Sequence, residues 1–542
     1  MAIEQKDQMT PARRAGTYTG RKTVLTVLLG TMLWGLLAHG LMLLNFYCFH
    51  DGCGQFTLGT TYNMGRWFLD VLESLHKVVW GLYTYEVNWY QGIVTLLFIA
   101  AANFLIIDLM AIECPVKRIL FCGITAVFPS VTGLFAYMFT APYYGFSLFL
   151  SVLSAYLLCR VSEKGKTDRK ALFLCGLASV FLCLSIAIYQ GYISHFLTVV
   201  LFYLIRKLLK SRTAPARAFP EGKPVRALFR SVFPIGLSAV FALLLYFASN
   251  KLYLLYKDAG IGGYRGMDHY GITSLSGYLD RIVTAYRTFF TPDPDFGSNM
   301  FPYRLYTVYR YILIPAVLAA SAVLLVRQFR FSVGSGLCLS LLLFSVPAAV
   351  NFIYISSGAE SAYSLTLYGQ SLIFAFVLLL GEGLSDCFSG TLIKRLIGWS
   401  VTVLLLYSCI FYCKLDNIQY TKLGEYIEQN KSWYTTLVTR IKSTEGFSDE
   451  LPVVYISEYD KNDSDFYHSQ LYDNIAISPY DNSNMSINGY WWKDQMRIYT
   501  GFDPVLEDEE IYASDPDVQE MPCYPDDGSI AILDGTIIVK FG

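Results

Sequence analysis

An acidic residue that could act as a general base stands at the end of the first long apolar segment. Asp51 lies in the sequence Cys48-Phe49-His50-Asp51-Gly52, which directly follows that segment. A carboxylate at this point could accept the proton of a hydroxyl group while the hydroxyl oxygen attacks a sugar carbon. The alternative is a solvated loop aspartate in a turn with Gly52, and the residues alone leave both interpretations open.

Several polar residues near the same ends of the apolar segments are candidates for binding a phosphate-bearing substrate. A guanidinium group suits phosphate because it makes bidentate contacts. The candidates are Arg66, Arg265, Arg281, Arg287, Tyr189 and Gln190. Taken singly, each arginine could instead lie at the membrane surface or form an ion pair. Gln190 could instead only form a hydrogen bond between helices.

Other carboxylates are weaker candidates for the base. Asp268, Asp280, Asp293 and Asp295 are the alternatives if Asp51 does not serve. Asp70 and Glu73 are explained as the polar face of a helix. Asp108, near the end of the second apolar segment, is costly in lipid, so we expect it to face the bundle interior or the inner interface.

The sequence predicts no cofactor and no metal site. Cys48, His50 and Cys53 are close together, but two cysteines and one histidine without a fourth ligand are weak evidence for a metal. A divalent ion and a local Cys48–Cys53 disulfide in an oxidising exterior stay possible.

The elements that must position these residues are membrane helices. Only 16% of the 542 residues are charged, which indicates lipid as the solvent. A crossing helix needs about 20 mostly apolar residues. Eleven segments qualify, at about 23–44, 92–112, 118–139, 143–159, 171–189, 192–207, 231–254, 307–327, 333–354, 366–382 and 396–413.

The basic residues set the expected orientation. One set of alternate sides carries 24 Lys and Arg, whereas the other carries 9 before the C-terminal tail. The positive-inside rule then places the N-terminus in the cytoplasm, and eleven spans place the tail outside. Asp51 and the candidate binding residues therefore fall on the external side of the cytoplasmic membrane.

Both long external loops contain a predicted amphipathic helix. Between Arg66 and Leu82, and again between Leu275 and Phe290, apolar residues recur with the helical period of 3.6. Such helices rest at the headgroup boundary. Helices packed on the protein's own loops are the alternative.

The charge balance changes near residue 413, which predicts three parts. These are a cytoplasmic tail (1–22), a transmembrane domain (23–413) and an acidic domain (414–542) that contains 9 Lys and Arg against 24 Asp and Glu. Within the acidic part, the residue pattern predicts a helix over 416–443, a strand at 453–456 and a hairpin about Asp534-Gly535. Trp491 and Trp492 supply a core, so we expect a small α/β domain.

The sequence lacks the motifs of nucleotide chemistry. It has no phosphate-cradling glycine loop, and its cytoplasmic loops are too short to hold a nucleotide-binding domain. A lipid-linked substrate would suit a site in the membrane or outside it. A transporter or flippase for lipid-linked sugars is an alternative, as is a non-catalytic assembly factor, and no nucleic-acid partner is indicated.

The order of short motifs along nearly the whole chain resembles the GtrII-like glucosyltransferases, a family of bacterial surface-polysaccharide modification. Besides the acid after the first span, the motifs are Tyr62-Asn63-Met64-Gly65-Arg66-Trp67, Phe128-Pro129-Ser130, Tyr189-Gln190-Gly191, Tyr264-Arg265-Gly266 and Leu451-Pro452-Val453-Val454-Tyr455.

The resemblance implies an all-α polytopic membrane domain of the GT-C type with a small extracytoplasmic α/β domain. It also implies transfer of a sugar, typically glucose, from a polyprenyl-phosphate carrier to a surface glycan. The acidic residue that members use in the first external loop maps onto Asp51.

Overall fold

Helices that could cross a membrane make up most of the chain. The computed structural model describes residues 11–47, 52, 61–81, 86–164, 168–210, 224–263, 272–292, 300–357, 362, 364–457 and 492–542. Within these ranges ten helices are long and apolar enough to span a bilayer, and one bent pair brings the number to eleven. The predicted all-α polytopic class, with about eleven spans, is therefore confirmed.

The spanning elements follow the predicted order. They are α1 (Pro11–Leu44), α3 (Asn88–Met110), the bent pair α4 (Pro115–Val127) and α5 (Pro129–Phe135), α6 (Ala141–Lys164), α7 (Arg169–Ile188), α8 (Ile193–Lys210), α9 (Pro224–Tyr256), α11 (Tyr303–Val308) with α12 (Ile314–Phe331), α13 (Val333–Phe344) with α14 (Val346–Val350), α16 (Ile373–Ser385) and α17 (Thr391–Lys442). A π-helical turn, Tyr309–Leu313, joins α11 to α12. Short 3₁₀ helices at Gln190–Tyr192 and Ser364–Leu372 open the spans of α8 and α16.

The third span is bent by 45° rather than straight, between α4 and α5. Pro129 has no N–H, and a proline disfavours helical backbone at the residue before it. Phe128 is accordingly extended, with φ −68° and ψ 140°. The Tyr368 hydroxyl donates to the Thr125 carbonyl at 2.6 Å, so a side chain satisfies a carbonyl just before the break.

A buried histidine also stabilises this bend. His39 Nε2 lies 2.8 Å from the Ala126 carbonyl, and His39 Nδ1 lies 2.8 Å from the Tyr420 hydroxyl. A carbonyl oxygen only accepts, so Nε2 carries the hydrogen and Nδ1 accepts from Tyr420. The ring therefore links α1, the bend and α17.

The two predicted amphipathic helices form, and each leaves part of its apolar stripe exposed while the rest packs on the bundle. They are α2 (Trp67–Trp80) and α10 (Leu275–Phe290). Val78 is 82% exposed in α2, and Leu275 is 78% exposed in α10. Exposed apolar stripes beside membrane helices fit the predicted position at the headgroup boundary.

The last span and the helix predicted over 416–443 are one continuous helix, α17. Neither proline nor glycine occurs at residues 413–416, so nothing in the sequence ends the helix there. The position 413/414, where the charge balance changes, lies inside this helix. The helix therefore connects the membrane part to the acidic part without a flexible linker.

A small sheet closes the chain. It contains β1 (Val453–Ile456), β2 (Ile530–Leu533) and β3 (Thr536–Lys540) in the order β1-β3-β2. β1 pairs parallel to β3, and β2 pairs antiparallel to β3. Asp534 and Gly535 have φ of 48° and 80°, as a type I′ turn requires, so the predicted hairpin is confirmed.

The sheet packs on the outer part of α17. Tyr434 and Leu437 of α17 are buried together with Trp492 and Phe541. The structure therefore supports the predicted small α/β region, although Trp491 lies outside the described residues. α18 (Trp492–Thr500) and α19 (Pro516–Glu520) complete it.

Candidate active site

Arg66 is the centre of a cluster on the side of the bundle where α1 ends and α3 begins, which we call the site face. Its Nη1 donates to the Tyr144 hydroxyl at 3.1 Å. Its guanidinium carbon lies 5.1 Å from the centre of the Tyr189 ring. Tyr144 and Tyr189 stack with their centroids 4.5 Å apart. Two predicted binding residues thus meet, because α2 begins beside the start of α6 and the end of α7.

Gln190 positions the chain just before Arg66. Its Nε2 donates to the Met64 carbonyl at 2.9 Å. The Tyr246 hydroxyl donates to the Gly65 carbonyl at 3.0 Å. These contacts tie the segment around the 3₁₀ helix Thr61–Met64 to the end of α7 and to the side of α9. We use the term Arg66 cluster for Arg66, Tyr144, Tyr189 and Gln190.

Asp70 does more than line the polar face of α2, which was all that the periodicity predicted. It is buried, and its Oδ2 lies 2.9 Å from Lys257 Nζ. The Tyr253 hydroxyl donates to the same oxygen. The hydrogen bond to Asp70 raises the pKa of the Lys257 ammonium. Periodicity missed this role because the partners come from the end of α9.

Arg281 and Arg287 lie on α10, apart from α2 in the chain. Arg281 lies 5.7 Å from the ring of Tyr278 on its own helix, and Arg287 is exposed. α10 packs against α14 and α15 (Phe352–Ser356). The structure therefore brings Arg66, Tyr189 and Gln190 together, and it places these two arginines on a second interfacial element.

Several predicted residues lie outside the described residues. They are Asp51, Arg265, Asp268, Asp293 and Asp295, together with Cys48 and Cys53. Asp280 is described and is exposed on α10. Asp108 lies at the opposite end of α3 from the site face, where the Tyr156 hydroxyl donates to it at 2.8 Å and Arg160 pairs with it.

Glu86 is a carboxyl group that the sequence analysis did not consider. It precedes α3 on the site face and is only 7% exposed. Its carboxyl lies against Gly52, since a Cβ at Gly52 would be 2.4 Å from Glu86 Oε1. Burial raises the pKa of Glu86 to about 8, and a hydrogen bond from the Phe139 backbone N–H lowers it in part. The sequence signal that could have identified Glu86 as a candidate is an acidic residue directly before a membrane span.

α17 adds a buried polar row that the sequence analysis also missed. Asp416, Gln419 and Lys422 are all buried, at a spacing of three residues that places them along one side of the helix. The Thr132 hydroxyl donates to Asp416 Oδ1 at 2.6 Å, which joins α17 to α5. Asp416 fell just beyond the predicted end of the last span, so its burial was not expected.

Metal ligands are not grouped in the part of the chain that the structure describes. Within those ranges no three His, Cys, Asp or Glu side chains are arranged to hold an ion. The absence of a cofactor stays a prediction.

The fold and the Arg66 cluster define the class of the protein: a polytopic helical membrane protein with a polar, aromatic site at one face of the bundle. The family model of glucosyl transferase GtrII matches residues 40–380, and the chain belongs to this family. No match was found among the curated proteins, and none among the solved structures.

The family assignment makes the protein a membrane glucosyltransferase, as the motif order predicts. The matched range includes the Arg66 cluster, Glu86 and the bend at Pro129. It ends before α17, so the buried row on that helix lies beyond it. The transporter and assembly-factor alternatives receive no support from the family.

Proposed function

We propose that the protein transfers glucose from a polyprenyl-phosphate carrier to a surface glycan, and that the reaction takes place on the outer side of the cytoplasmic membrane. In this reaction Asp51 is the general base that accepts the proton of the acceptor hydroxyl. The oxygen of that hydroxyl forms the new bond to the anomeric carbon, and the carrier phosphate leaves with the electrons of the broken bond.

The placement of Arg66 is the observation that carries the proposal. Arg66 precedes α2, an amphipathic helix whose exposed apolar residues suit the headgroup boundary. A guanidinium at that depth is level with the phosphate of a lipid-linked sugar, and it binds phosphate through charge-assisted hydrogen bonds. Water-soluble nucleotide sugars have no such reason to be recognised at the membrane surface.

Tyrosine rings hold the Arg66 guanidinium in place. Tyr144 and Tyr189 stack beside it, and Tyr192 continues the row with its ring centre 5.2 Å from that of Tyr189. All three rings are buried, so they fix the orientation of the guanidinium through aromatic and hydrogen-bonding contacts.

The donor is tested with membranes that contain the protein. We expect transfer of labelled glucose from polyprenyl-phosphate glucose, and none directly from UDP-glucose when synthesis of the lipid-linked sugar is blocked. The measurement is label in the glycan fraction, with membranes lacking the protein as the control. Robust direct use of UDP-glucose under the block would contradict the proposed donor.

The outer location requires a matching topology. We expect a reporter fused after Gly542 to be extracytoplasmic, whereas labels within 160–170 and 208–228 should be cytoplasmic. The reasons are the 24-to-9 basic bias and the odd number of candidate spans when the bent pair is counted as one. Accessibility of engineered cysteines to an impermeant reagent is the measurement. A cytoplasmic C-terminus would remove the external active site.

A further inference from the structure

A carboxyl group packed on the chain at Gly52 is the feature that the proposed function leaves unexplained. A Cβ at Gly52 would lie 2.4 Å from Glu86 Oε1, 2.8 Å from Cδ and 2.9 Å from Oε2. These distances are far below van der Waals contact, so only glycine permits the approach. All three carboxyl atoms are close to the same backbone point. Gly52 directly follows Asp51 in the chain.

The start of α3 is fixed to the end of α1, and this connection holds Glu86 in place. Asn88 Nδ2 donates to the carbonyls of Met42 at 3.2 Å and Asn45 at 2.9 Å. The backbone N–H of Val87 donates to the Gln91 side chain at 2.8 Å. Glu86 therefore lies at the base of the segment that leaves α1, two residues before the span begins.

The carboxyl of Glu86 is neutral in most molecules at pH 7. Burial raises its pKa to about 8, while the Phe139 backbone N–H lowers it in part. Protonated molecules then outnumber ionised ones by about ten to one at pH 7. A protonated carboxyl has one O–H donor in addition to its acceptor sites. Glu86 can thus donate a hydrogen bond to the chain that it faces.

We propose that Glu86 is a second carboxyl group of the active site and acts there as a positioning residue. It donates a hydrogen bond that holds the chain at Gly52, the residue that directly follows the proposed base Asp51 in the sequence. This inference rests on the proposed function.

Glutamine and alanine substitutions separate the donor role from a merely structural one. Glu86→Ala should lower kcat by about 10²-fold, since a small misplacement of a catalytic group can cost that much. Its KM for polyprenyl-phosphate glucose should change less than about threefold, because the loss of a residue that positions the base falls on the catalytic step rather than on donor binding. Glu86→Gln should recover kcat to within about tenfold of wild type, since the amide retains an N–H donor and a carbonyl acceptor.

Glu163→Ala is the matched control. Glu163 is an exposed glutamate that pairs with Arg160, and both residues lie at the end of α6 that is opposite to the site face. Its kcat should equal that of wild type. Equal protein yield and detergent-solubilised monodispersity are required of every variant. A well-folded Glu86→Gln enzyme as slow as Glu86→Ala would overturn the inference, because the ionised carboxylate would then be the required form.

The contact with Gly52 gives an independent test that holds even if Glu86→Ala folds poorly. Gly52→Ala should lower kcat because the added methyl group displaces the carboxyl. The double variant Gly52→Ala/Glu86→Asp has a shorter acidic side chain, which makes room for the methyl group. Its fold-loss in kcat should therefore be smaller than the product of the two single fold-losses. If the fold-loss in kcat of the double variant equals the product of the two single fold-losses, the proposed contact between Glu86 and Gly52 is contradicted.

Failure of the proposed function and failure of the inference about Glu86 would give different results. Wild-type protein that does not use polyprenyl-phosphate glucose would contradict the proposed function. Wild-type activity together with an unaffected Glu86→Ala enzyme would contradict only the inference about Glu86.

Discussion

Asp51→Asn is expected to lower kcat by on the order of 10²–10⁴-fold, the usual cost of removing a general base. An attacking hydroxyl gains acidity only as its bond to the anomeric carbon forms, so the carboxylate acts in the transition state. Asparagine has nearly the same shape but does not accept the proton. Expression and donor binding should therefore stay near those of wild type, and single-turnover transfer of labelled glucose is the measurement.

Asp386→Asn is the control for this substitution, since Asp386 is an exposed acid at the end of α16, away from the site face. Its turnover should not change. A structural role for Asp51 would appear as low protein yield instead of slow chemistry. A well-folded Asp51→Asn enzyme with near-normal turnover would remove Asp51 from the mechanism, and Asp268, Asp280, Asp293 and Asp295 would be substituted next.

Arg66→Ala is expected to raise the KM for the lipid-linked donor by about 10- to 100-fold. Charge-assisted hydrogen bonds contribute about 1.5–3 kcal/mol each, and about 1.4 kcal/mol corresponds to tenfold in affinity. The carrier phosphate is present both before and during the reaction. The loss should therefore appear in donor binding as well as in rate, unlike the loss from Asp51→Asn.

Arg66→Lys should fall between wild type and Arg66→Ala, because an ammonium keeps the charge but loses the bidentate geometry and the planar contact with Tyr189. Arg310→Ala is the control, since Arg310 is exposed and its described hydrogen bond is to Tyr306. Titration of polyprenyl-phosphate glucose against initial rate measures the effect. An unchanged KM in Arg66→Ala would exclude this phosphate contact, and Arg265, Arg281 and Arg287 would be the next candidates.

The order and spacing of the motifs along the chain were enough to predict the family. Each motif is too short to be specific alone, but their order along nearly the whole chain is informative. The catalytic role of Asp51 is a proposal that rests on its position directly after the first span. The structure adds that Gly52, the next residue in the chain, lies against a buried carboxyl.

Some features of this protein were predictable from the sequence because their causes are local. A membrane span depends on the apolar content of about 20 consecutive residues, and a type I′ hairpin depends on two turn residues such as Asp534 and Gly535. The amphipathic helices α2 and α10 follow from the period of their own residues. Such features require no knowledge of what lies across the fold.

Only the tertiary structure decided which polar groups meet. Arg66 donates to Tyr144 across 78 residues of sequence, and Thr132 donates to Asp416 across 284. Glu86 reaches Gly52 because Asn88 ties the second span to the first. The packing of the helices sets these contacts, and packing depends on how side chains far apart in the chain fit together, which no local pattern encodes.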